Sequence, residues 1–539
     1  MSSLQEICRR TGLCERLDRS EIAPFLESDE THVRQLAHRC LAVQELLSSV
    51  DHLRAVLVET DYADPQDMQR LFALTGLAED KDTLVESGFA AGGAAASRGA
   101  DALALEILQV AAMDDIGRGI KWLGDVSHAD AVAKIYDAIA ARHVPFAPVA
   151  SARRGDGRLR IGYVVPNLVD DFNAPSQRIQ NFAKYHDMNR FDMRVYSSEA
   201  FCVRTKNLYF RRQATPPTVQ RAPKILRTFE QRGVSFYAAP RDVDLVEAAT
   251  ALGKKILADD LDVVAYESSL ACPIECVVAD WRPAPVQVNI NIGVPMYVDG
   301  IDCTTYFMRG NYEREAAYFA ARGKRSLFLH GGIDLELDLG EPPAKRDVGV
   351  PGDTVILVTV GNRLEERMSA DFVRCICDVL KANPRTVHMI IGMGKFVEQK
   401  RLFQEAGVLG RVTFTGARND VRHVVRVADV YVNEFPEGGA QSVMEAMAGG
   451  VPAVAMRYSD QHLHCCGAEY VGDEMTLGSR DFDGYIDLVN RLIRDGDFRR
   501  DRAEAARRRV EELYSFRGCV ERFESLYVEL HQEAAAAAA

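Results

Sequence analysis

The sequence predicts an α/β protein in which two doubly wound domains, each built on a parallel sheet, follow an all-helical region. From Leu159 onward, short apolar segments of strand length alternate with helical segments, as in strands and helices wound around a parallel sheet. An acidic, proline-rich segment, residues 338–351, divides this alternation into two runs. The 539 residues are enough for roughly three or four domain-sized units.

Residues 1–150 are predicted to form an all-helical accessory domain. Apolar residues recur there at helical spacing, and Asp64-Pro65 and Ser127 have the features of helix starts. A segment rich in Gly, Ala and Ser, residues 88–99, is predicted to be a flexible loop, and residues 145–157 a linker. The predicted helices are residues 33–47, 52–59, 65–74, 102–112 and 129–141.

Residues 158–340 are predicted to form the first α/β domain and residues 341–532 the second. Strands are expected at residues 159–165, 193–197, 261–265, 286–292 and 326–329, and then at 355–360, 388–391, 412–414, 430–432 and 453–455. Helices are expected at residues 176–186, 243–257, 485–494, 498–514 and 515–530. Residues 533–539, which end in an alanine tract, are expected to be a disordered tail.

Composition limits the class of protein and its partners. The formal net charge of −13 argues against nucleic acid as the main partner. The sequence has no apolar stretch of membrane-spanning length, and its first eight residues lack the features of a signal peptide, so a cytoplasmic location is expected. In that compartment the twelve cysteines are expected to be reduced thiols.

Three cysteine groupings contain potential metal ligands, but no metal site is predicted. None has the paired C-x2-C spacing of structural zinc sites. The best of them, His462-Leu-His464-Cys465-Cys466, has adjacent cysteines that rarely reach one ion together. Packing in a core or a pocket is the favoured interpretation.

Residues 427–456 hold the most informative pattern of the chain. A short apolar strand leads into the turn Pro436-Glu437-Gly438-Gly439, a helix-forming run, the pair Gly449-Gly450 and a second strand. A helix that begins directly after a glycine turn directs unpaired N–H groups and the positive end of its dipole at whatever lies in front of it, which suits a diphosphate. Glu437 and Glu445 would repel phosphate, whereas carboxylates readily accept hydrogen bonds from sugar or ribose hydroxyls. The alternative is a plain strand–helix–strand unit that carries two glutamates.

A second candidate segment, Gly361-Asn-Arg363-Leu-Glu-Glu-Arg367, follows the strand at residues 355–360. Arginine is suited to bidentate phosphate contacts, and glycine lets the backbone approach a ligand closely. Arg363 and Arg367 are therefore predicted to bind phosphate. The alternative is that the two arginines, one helical turn apart, lie on an exposed helix face.

These motifs resemble the E-x7-E pattern of retaining glycosyltransferases with the GT-B fold. The resemblance implies that Glu437 lies beside the donor sugar, that Glu445 contacts the nucleotide ribose and that Arg363 holds the diphosphate. Arg367 stands one residue before the lysine of that family. The loop that begins at Gly416 resembles the segment on which the nucleotide base rests. The predicted catalytic residues are Glu437 and Arg363, and the predicted donor-binding residues are Gly361, Arg363, Arg367, Gly416, Arg418, Gly438, Gly439, Ala440, Gln441, Ser442 and Glu445.

The first α/β domain resembles a different family, the O-GlcNAc transferases and the related bacterial cytoplasmic protein glycosyltransferases. The resemblance rests on residues 159–165, 173–176, 190–196, 282–287 and 293–295 and on Gly300. The His-Pro-Thr-Ser-His segment of O-GlcNAc transferases aligns here with residues 174–177, which contain no histidine, so a His-based inverting mechanism is not supported. Candidate acceptor contacts are Asp170, Asp171 and Asn173, and the alternative is a solvated loop.

The two resemblances together imply a glycosyltransferase that moves a hexose or N-acetylhexosamine from a nucleotide diphosphate sugar to an acceptor hydroxyl. They favour UDP over GDP as the nucleotide. They also imply that no metal or other cofactor is needed. A protein or peptide acceptor is favoured, docked by the helical domain, which could otherwise mediate homo-oligomerisation. A saccharide or lipid-linked acceptor, a sugar-nucleotide epimerase and a non-catalytic nucleotide-sugar-binding scaffold are the alternatives. Retaining and inverting outcomes both stay open.

Overall fold

The computed structural model describes residues 19–28, 33–34, 37, 40–41, 81–117, 122–145, 157–168, 174–200, 223–241, 243–337, 339–361, 364–418, 420–457 and 466–538. The chain forms two compact units. The first comprises Met1–Thr305, Tyr318–Arg325 and Tyr527–Ala539, and the second comprises Tyr306–Ala317 and Ser326–Leu526. The helical region and residues 159–305 of the first α/β domain therefore lie in one unit, whereas the sequence places them in separate domains.

The helical region has four described helices, Arg19–Leu26, Lys81–Ser97, Asp101–Gly117 and Val126–Arg142. The last two contain the helices predicted at residues 102–112 and 129–141. The helices predicted at 52–59 and 65–74, and most of the one at 33–47, lie outside the described residues.

The flexible loop predicted at residues 88–99 is wrong, because the helix Lys81–Ser97 covers most of it. The glycines there allow close packing of two helices rather than a turn. A Cβ on Gly88 would lie 2.8 Å from the Cβ of Ala111, and a Cβ on Gly92 would lie 2.5 Å from Cγ of Leu108. The alanines between the two glycines have high helix propensity. The close packing of the two helices at Gly88 and Gly92 offsets the usual cost of glycine inside a helix.

The helical region packs against the first α/β layer through buried polar contacts inside the first unit. Tyr136 donates its hydroxyl hydrogen to the carbonyl oxygen of Leu270 at 3.1 Å, and the indole N–H of Trp281 donates to the carbonyl of Ala140 at 2.8 Å. Tyr136 is fully buried. Because a buried hydroxyl without a partner is costly, these bonds specify how the helix Val126–Arg142 packs.

The first sheet has seven strands in the order β3-β2-β1-β4-β5-β6-β7, and the pairings from β3 to β6 are parallel. The strands are β1 (Leu159–Val165), β2 (Phe191–Ser197), β3 (Ser235–Ala238), β4 (Val263–Ser268), β5 (Val286–Asn291), β6 (Cys303–Tyr306) and β7 (Arg325–Phe328). The helices that alternate with them are Ala174–Tyr185, Pro223–Arg232, Leu245–Ala258, Pro273–Asp280 and Arg309–Ala321.

The second sheet has six strands in the order β10-β9-β8-β11-β12-β13, all parallel. They are β8 (Val355–Val360), β9 (Thr386–Ile391), β10 (Val412–Gly416), β11 (Val430–Val432), β12 (Ala453–Met456) and β13 (Thr476–Leu477). The described α-helices are Leu364–Arg367, Ala370–Ala382, Val397–Glu405, Val421–Val424, Gln441–Ala448, Cys466–Val471, Phe482–Arg494, Gly496–Leu513 and Phe516–Ala538, with 3-10 turns at Lys345–Val348, Leu409–Arg411, Val425–Val427 and Asp473–Met475.

The C-terminal helix differs from the predicted disordered tail. It runs to Ala538, through almost the whole alanine tract, because alanine has the highest helix propensity and simply extends a helix that is already packed. Near the start of this helix, the segment after β7 is pinned by backbone bonds: the N–H of Ile333 donates to Tyr514 and the N–H of Phe516 donates to Ile333, both at 2.9 Å. Among the described helices, none is long and apolar enough to cross a membrane.

Candidate active site

The most informative segment of the sequence lies at the carboxyl end of β11. This strand pairs with β8 on one side and β12 on the other, so it lies in the interior of the sheet. In open parallel sheets, ligands bind where the chain leaves the carboxyl ends of the strands. After Val432 the chain continues through Asn433 and Glu434 and a cis Phe435–Pro436 peptide bond into the glycine turn.

The turn is built on glycine because there is no room for a side chain. A Cβ on Gly438 would lie 2.1 Å from Oδ1 of Asn433, and a Cβ on Gly439 would lie 2.7 Å from Oγ of Ser442. Asn433, almost fully buried, donates from Nδ2 to the carbonyl of Gly439 at 3.2 Å. The N–H of Gly439 donates to Oε1 of Glu434 at 3.1 Å. The side chains of Asn433 and Glu434 therefore stabilise the turn through hydrogen bonds to the backbone of Gly439.

The helix after the turn is Gln441–Ala448, whereas the helix-forming run of the sequence predicts residues 442–448. Ala440 precedes it and supplies no side-chain cap, so its first N–H groups are directed forward. Ser442 fixes its start, because its Oγ lies 3.1 Å from the carbonyl oxygen of Val360, to which it donates, and 2.9 Å from the hydroxyl of Tyr431. The helix start is thus tied to the end of β8, where the second candidate segment begins.

Each of the two glutamates of the predicted motif is paired with an arginine. Glu437 accepts from Nε of Arg367 at 3.1 Å, and Nη2 of the same arginine lies 3.1 Å away. Glu445 accepts at Oε1 from Nε of Arg422 at 2.7 Å and from Nε2 of Gln441 at 2.8 Å. The pair Glu437–Arg367 is partly open to solvent, since its two side chains are 28% and 21% exposed.

The second segment also depends on glycine. The N–H of Gly361 donates to the carbonyl of Ile391 at 3.1 Å, and a Cβ on Gly392 would lie 2.1 Å from the carbonyl oxygen of Gly361. The ends of β8 and β9 therefore meet backbone to backbone. Arg363 lies outside the described residues, as do Asp170, Asp171 and Asn173 and the segment His462–Cys465.

The loop after β10 has the backbone of a tight turn. Gly416 has a φ of +74°, in the left-handed region that favours glycine. Arg418 pairs with Asp420 through two bonds of 2.8 and 2.7 Å, and the guanidinium holds the pKa of the Asp420 carboxyl below its usual value. Of the predicted donor-binding residues, Arg418 therefore pairs within its own loop. Arg367, Glu437 and Glu445 lie around the glycine turn.

A known protein family matches the part of the chain that contains this site. Residues 354–495 match the family model described as Glycosyl transferases group 1. These residues form a glycosyltransferase domain. The matched segment contains the glycine turn, both glutamates and their arginine partners. A comparison with curated protein sequences gave no match.

Solved structures extend the similarity beyond this glycosyltransferase domain. An O-GlcNAc transferase mutant from Thermobaculum terrenum matches over 100% of this chain and 99% of that chain, with a TM-score of 0.59 and 17% identity. Anabaena Alr3699/HepE in complex with UDP and glucose matches over 69% of this chain and 100% of its own, with a TM-score of 0.50 and 13% identity. Sucrose-phosphate synthase from Thermosynechococcus elongatus matches over 70% of this chain and 100% of its own, with a TM-score of 0.51 and 15% identity. The predicted GT-B fold and the predicted enzyme class, a glycosyltransferase, are confirmed.

Three residues of the glycosyltransferase domain were missed by sequence reasoning: Asn433, Glu434 and Arg422. A polar pair directly after a buried strand was a usable signal for Asn433 and Glu434, because parallel strands carry site residues at their carboxyl ends. Arg422 reaches Glu445 across 23 positions of the chain. Since that contact is long-range, no local pattern reveals it.

Proposed function

We propose that the enzyme transfers a hexose or N-acetylhexosamine from a nucleotide diphosphate sugar to an acceptor hydroxyl. The observation that supports this most strongly is the pair Glu437 and Glu445, each held by an arginine, on either side of a glycine turn that opens into a helix. Carboxylates oriented in this way accept hydrogen bonds from the hydroxyls of a sugar and a ribose. The turn between them is suited to the diphosphate that joins the two.

We propose that the same geometry supports the transfer without a metal ion. The leaving group carries negative charge, and an enzyme must stabilise it as it develops. The first N–H groups of the helix Gln441–Ala448 and the guanidinium of Arg367 supply fixed positive charge at the turn. Among the described residues, no group of three or more His, Cys, Asp or Glu side chains is arranged to hold a metal. We propose that the helix start and the arginines take this role.

UDP is the proposed nucleotide. The support is similarity of fold to Anabaena Alr3699/HepE, whose structures were solved in complex with UDP and with UDP and glucose. The choice of a hexose or N-acetylhexosamine as the transferred sugar is supported by the similarity of fold to that protein and to the O-GlcNAc transferase mutant.

A protein or peptide is the proposed acceptor. The observation that favours it is the length of the match to the O-GlcNAc transferase mutant, which includes the helical region as well as both sheets. The other two structures match only 69% and 70% of the chain. A helical region that is packed onto the first α/β layer by buried hydrogen bonds can present an acceptor in a fixed orientation. A saccharide or lipid-linked acceptor is the outcome that would replace this proposal.

The test has two stages. A thermal-shift panel of UDP-, GDP- and ADP-sugars identifies the donor, and mass spectrometry of co-expressed candidate proteins with that donor detects an added sugar. Glu437→Ala should abolish transfer and leave the fold intact. Product analysis with donor alone distinguishes an epimerase. If no nucleotide sugar raises the melting temperature, the proposal is wrong and a scaffold role is favoured.

A further inference from the structure

Glu434 is a buried carboxylate directly beneath the proposed donor site. It is 1% exposed. Its Oε1 accepts from the N–H of Gly439 at 3.1 Å and lies 3.7 Å from Nη1 of Arg367. Its Oε2 accepts from Nδ2 of Asn433 at 3.3 Å. A Cβ added at Gly361 or at Gly439 would lie within 4 Å of Oε1. This oxygen therefore lies next to both glycine segments of the site.

Glu434 shares its arginine with a second carboxylate. Arg367 lies 3.7 Å from Oε1 of Glu434 and 3.1 Å from Oε1 of Glu437. Among the described residues, the phenols of Tyr431 and Tyr485 also lie near Glu434, and burial raises their pKa values well above the usual range. Both phenols are therefore neutral near pH 7. With both carboxylates ionised, two negative charges compete for Arg367, and a diphosphate that binds beside them adds further negative charge.

Burial already holds the Glu434 carboxyl near the point of protonation. Its pKa is raised to about 7, first by burial, with Glu437 adding to the rise and Arg367 and the N–H of Gly439 opposing it. An additional anion nearby favours the neutral form further. A proton on Glu434 would remove one of the two negative charges that compete for Arg367. The Arg367 guanidinium would then attract the phosphates more strongly.

We propose that Glu434 is a proton-coupled positioning residue of the donor site, which holds the glycine turn and Arg367 in place and takes up a proton when a nucleotide diphosphate sugar binds. This inference rests on the proposed function. It assigns the residue no contact with the sugar, because Glu434 is covered by the turn. Its effect on the donor passes through Arg367 and the N–H of Gly439.

The experiment is isothermal titration calorimetry of the full chain with UDP-glucose, UDP-N-acetylglucosamine and GDP-mannose, whose phosphates do not titrate near neutrality. Measurements at pH 7.5 in two buffers of different ionisation enthalpy give the number of protons taken up. For a group with a pKa of about 7 that becomes fully protonated in the complex, we expect uptake of about 0.8 proton at pH 7.5. The dissociation constant should rise with pH above 7, approaching about tenfold per pH unit.

Variants assign the proton to Glu434. Glu434→Gln keeps the shape of the neutral form, so its proton uptake should vanish and its dissociation constant should no longer depend on pH. Glu434→Asp keeps a carboxyl group and should retain uptake, which also covers the case in which the glutamine variant does not fold. Glu267→Gln is the matched control. Glu267 is equally buried in the first unit, is paired with Arg178 at 2.7 Å, and also has a pKa raised to about 7 by burial, yet its loss should leave the uptake unchanged.

The outcomes separate the two proposals. Binding of a nucleotide sugar without proton uptake, or uptake that survives in Glu434→Gln, overturns the role of Glu434 and leaves the proposed function standing. Failure of the wild-type chain to bind any of the three nucleotide sugars overturns both. A purely structural role for Glu434 would lower the melting temperature of the variants without changing the proton count.

Discussion

Replacement of Glu445 by glutamine tests the donor site at a position where the structure predicts a large effect on binding and a small one on folding. Both hydrogen bonds of Glu445 fall on Oε1, from Arg422 and Gln441, so Oε2 is the oxygen that a ribose hydroxyl would meet. Glutamine has the same shape but no charge. The variant should fold, because Arg422 and Gln441 can still donate to an amide oxygen.

The expected loss of affinity follows from the strength of a charged hydrogen bond. A hydrogen bond to an ionised group contributes about 1.5–3 kcal/mol, which corresponds to a rise of about 10- to 150-fold in the dissociation constant for a UDP-sugar. Calorimetry or fluorescence titration measures it. Glu511→Gln is the matched control, because Glu511 also accepts from the Nε of an arginine, Arg507, at 2.9 Å on an exposed helix. Unchanged affinity in Glu445→Gln would refute the assignment of Glu445 to the ribose.

Three further predictions concern packing and pH. Gly438→Ala should lower donor affinity at least about tenfold and cost about 1–3 kcal/mol of stability, because the new methyl group would overlap Oδ1 of Asn433. Gly92→Ala should destabilise the helical region by about 1–3 kcal/mol in urea denaturation, because its Cβ would overlap the buried side chain of Leu108. Burial lowers the pKa of His388 to about 3, below its usual value of about 6.5. The stability that depends on neutral His388 is therefore present above pH 6.5 and falls by about 1.4 kcal/mol per pH unit from there toward pH 3, and His388→Gln should remove this part of the slope.

Each of these predictions has its control. Gly410→Ala adds a methyl group in open space and should leave donor affinity unchanged. Gly93→Ala meets only Ile135 at 3.4 Å and should stabilise its helix by about 0.5–1 kcal/mol. A Gly92→Ala protein as stable as Gly93→Ala would contradict the close packing of the two helices. An unchanged unfolding slope between pH 4 and 6.5 in His388→Gln would show that other groups cause the acid sensitivity.

Most strands of the fold were predictable from the sequence. The strands β1, β8 and β11 begin and end where the apolar runs predict, because β-branched and aromatic residues dominate them. The strands β3, β6 and β13 were missed, because their sequences, SFYA, CTTY and TL, have a weaker apolar pattern than the equally short β11, VYV, and β12, AVAM. The helix Lys81–Ser97 was missed because whether a glycine breaks a helix or lets a second helix approach depends on a partner that is distant in sequence.

The site was predictable in part, for the same physical reason. The glycine turn and its two glutamates form one local pattern, and the structure places Arg367 against Glu437 as a neighbour of the turn. The parts that depend on distant contacts were not visible: Arg422 against Glu445, and Glu434 between two glycine segments. The roles of these residues in binding and transfer are predictions.

The most direct test of the donor site is an experimental structure of the chain with a bound UDP-sugar. We expect ribose hydroxyls within about 3.2 Å of Glu445 and sugar hydroxyls at Glu437. We expect the diphosphate at the N–H groups of Ala440, Gln441 and Ser442 and beside Arg367. A nucleotide bound at another strand edge, without contact to Glu437 or Glu445, would contradict this assignment.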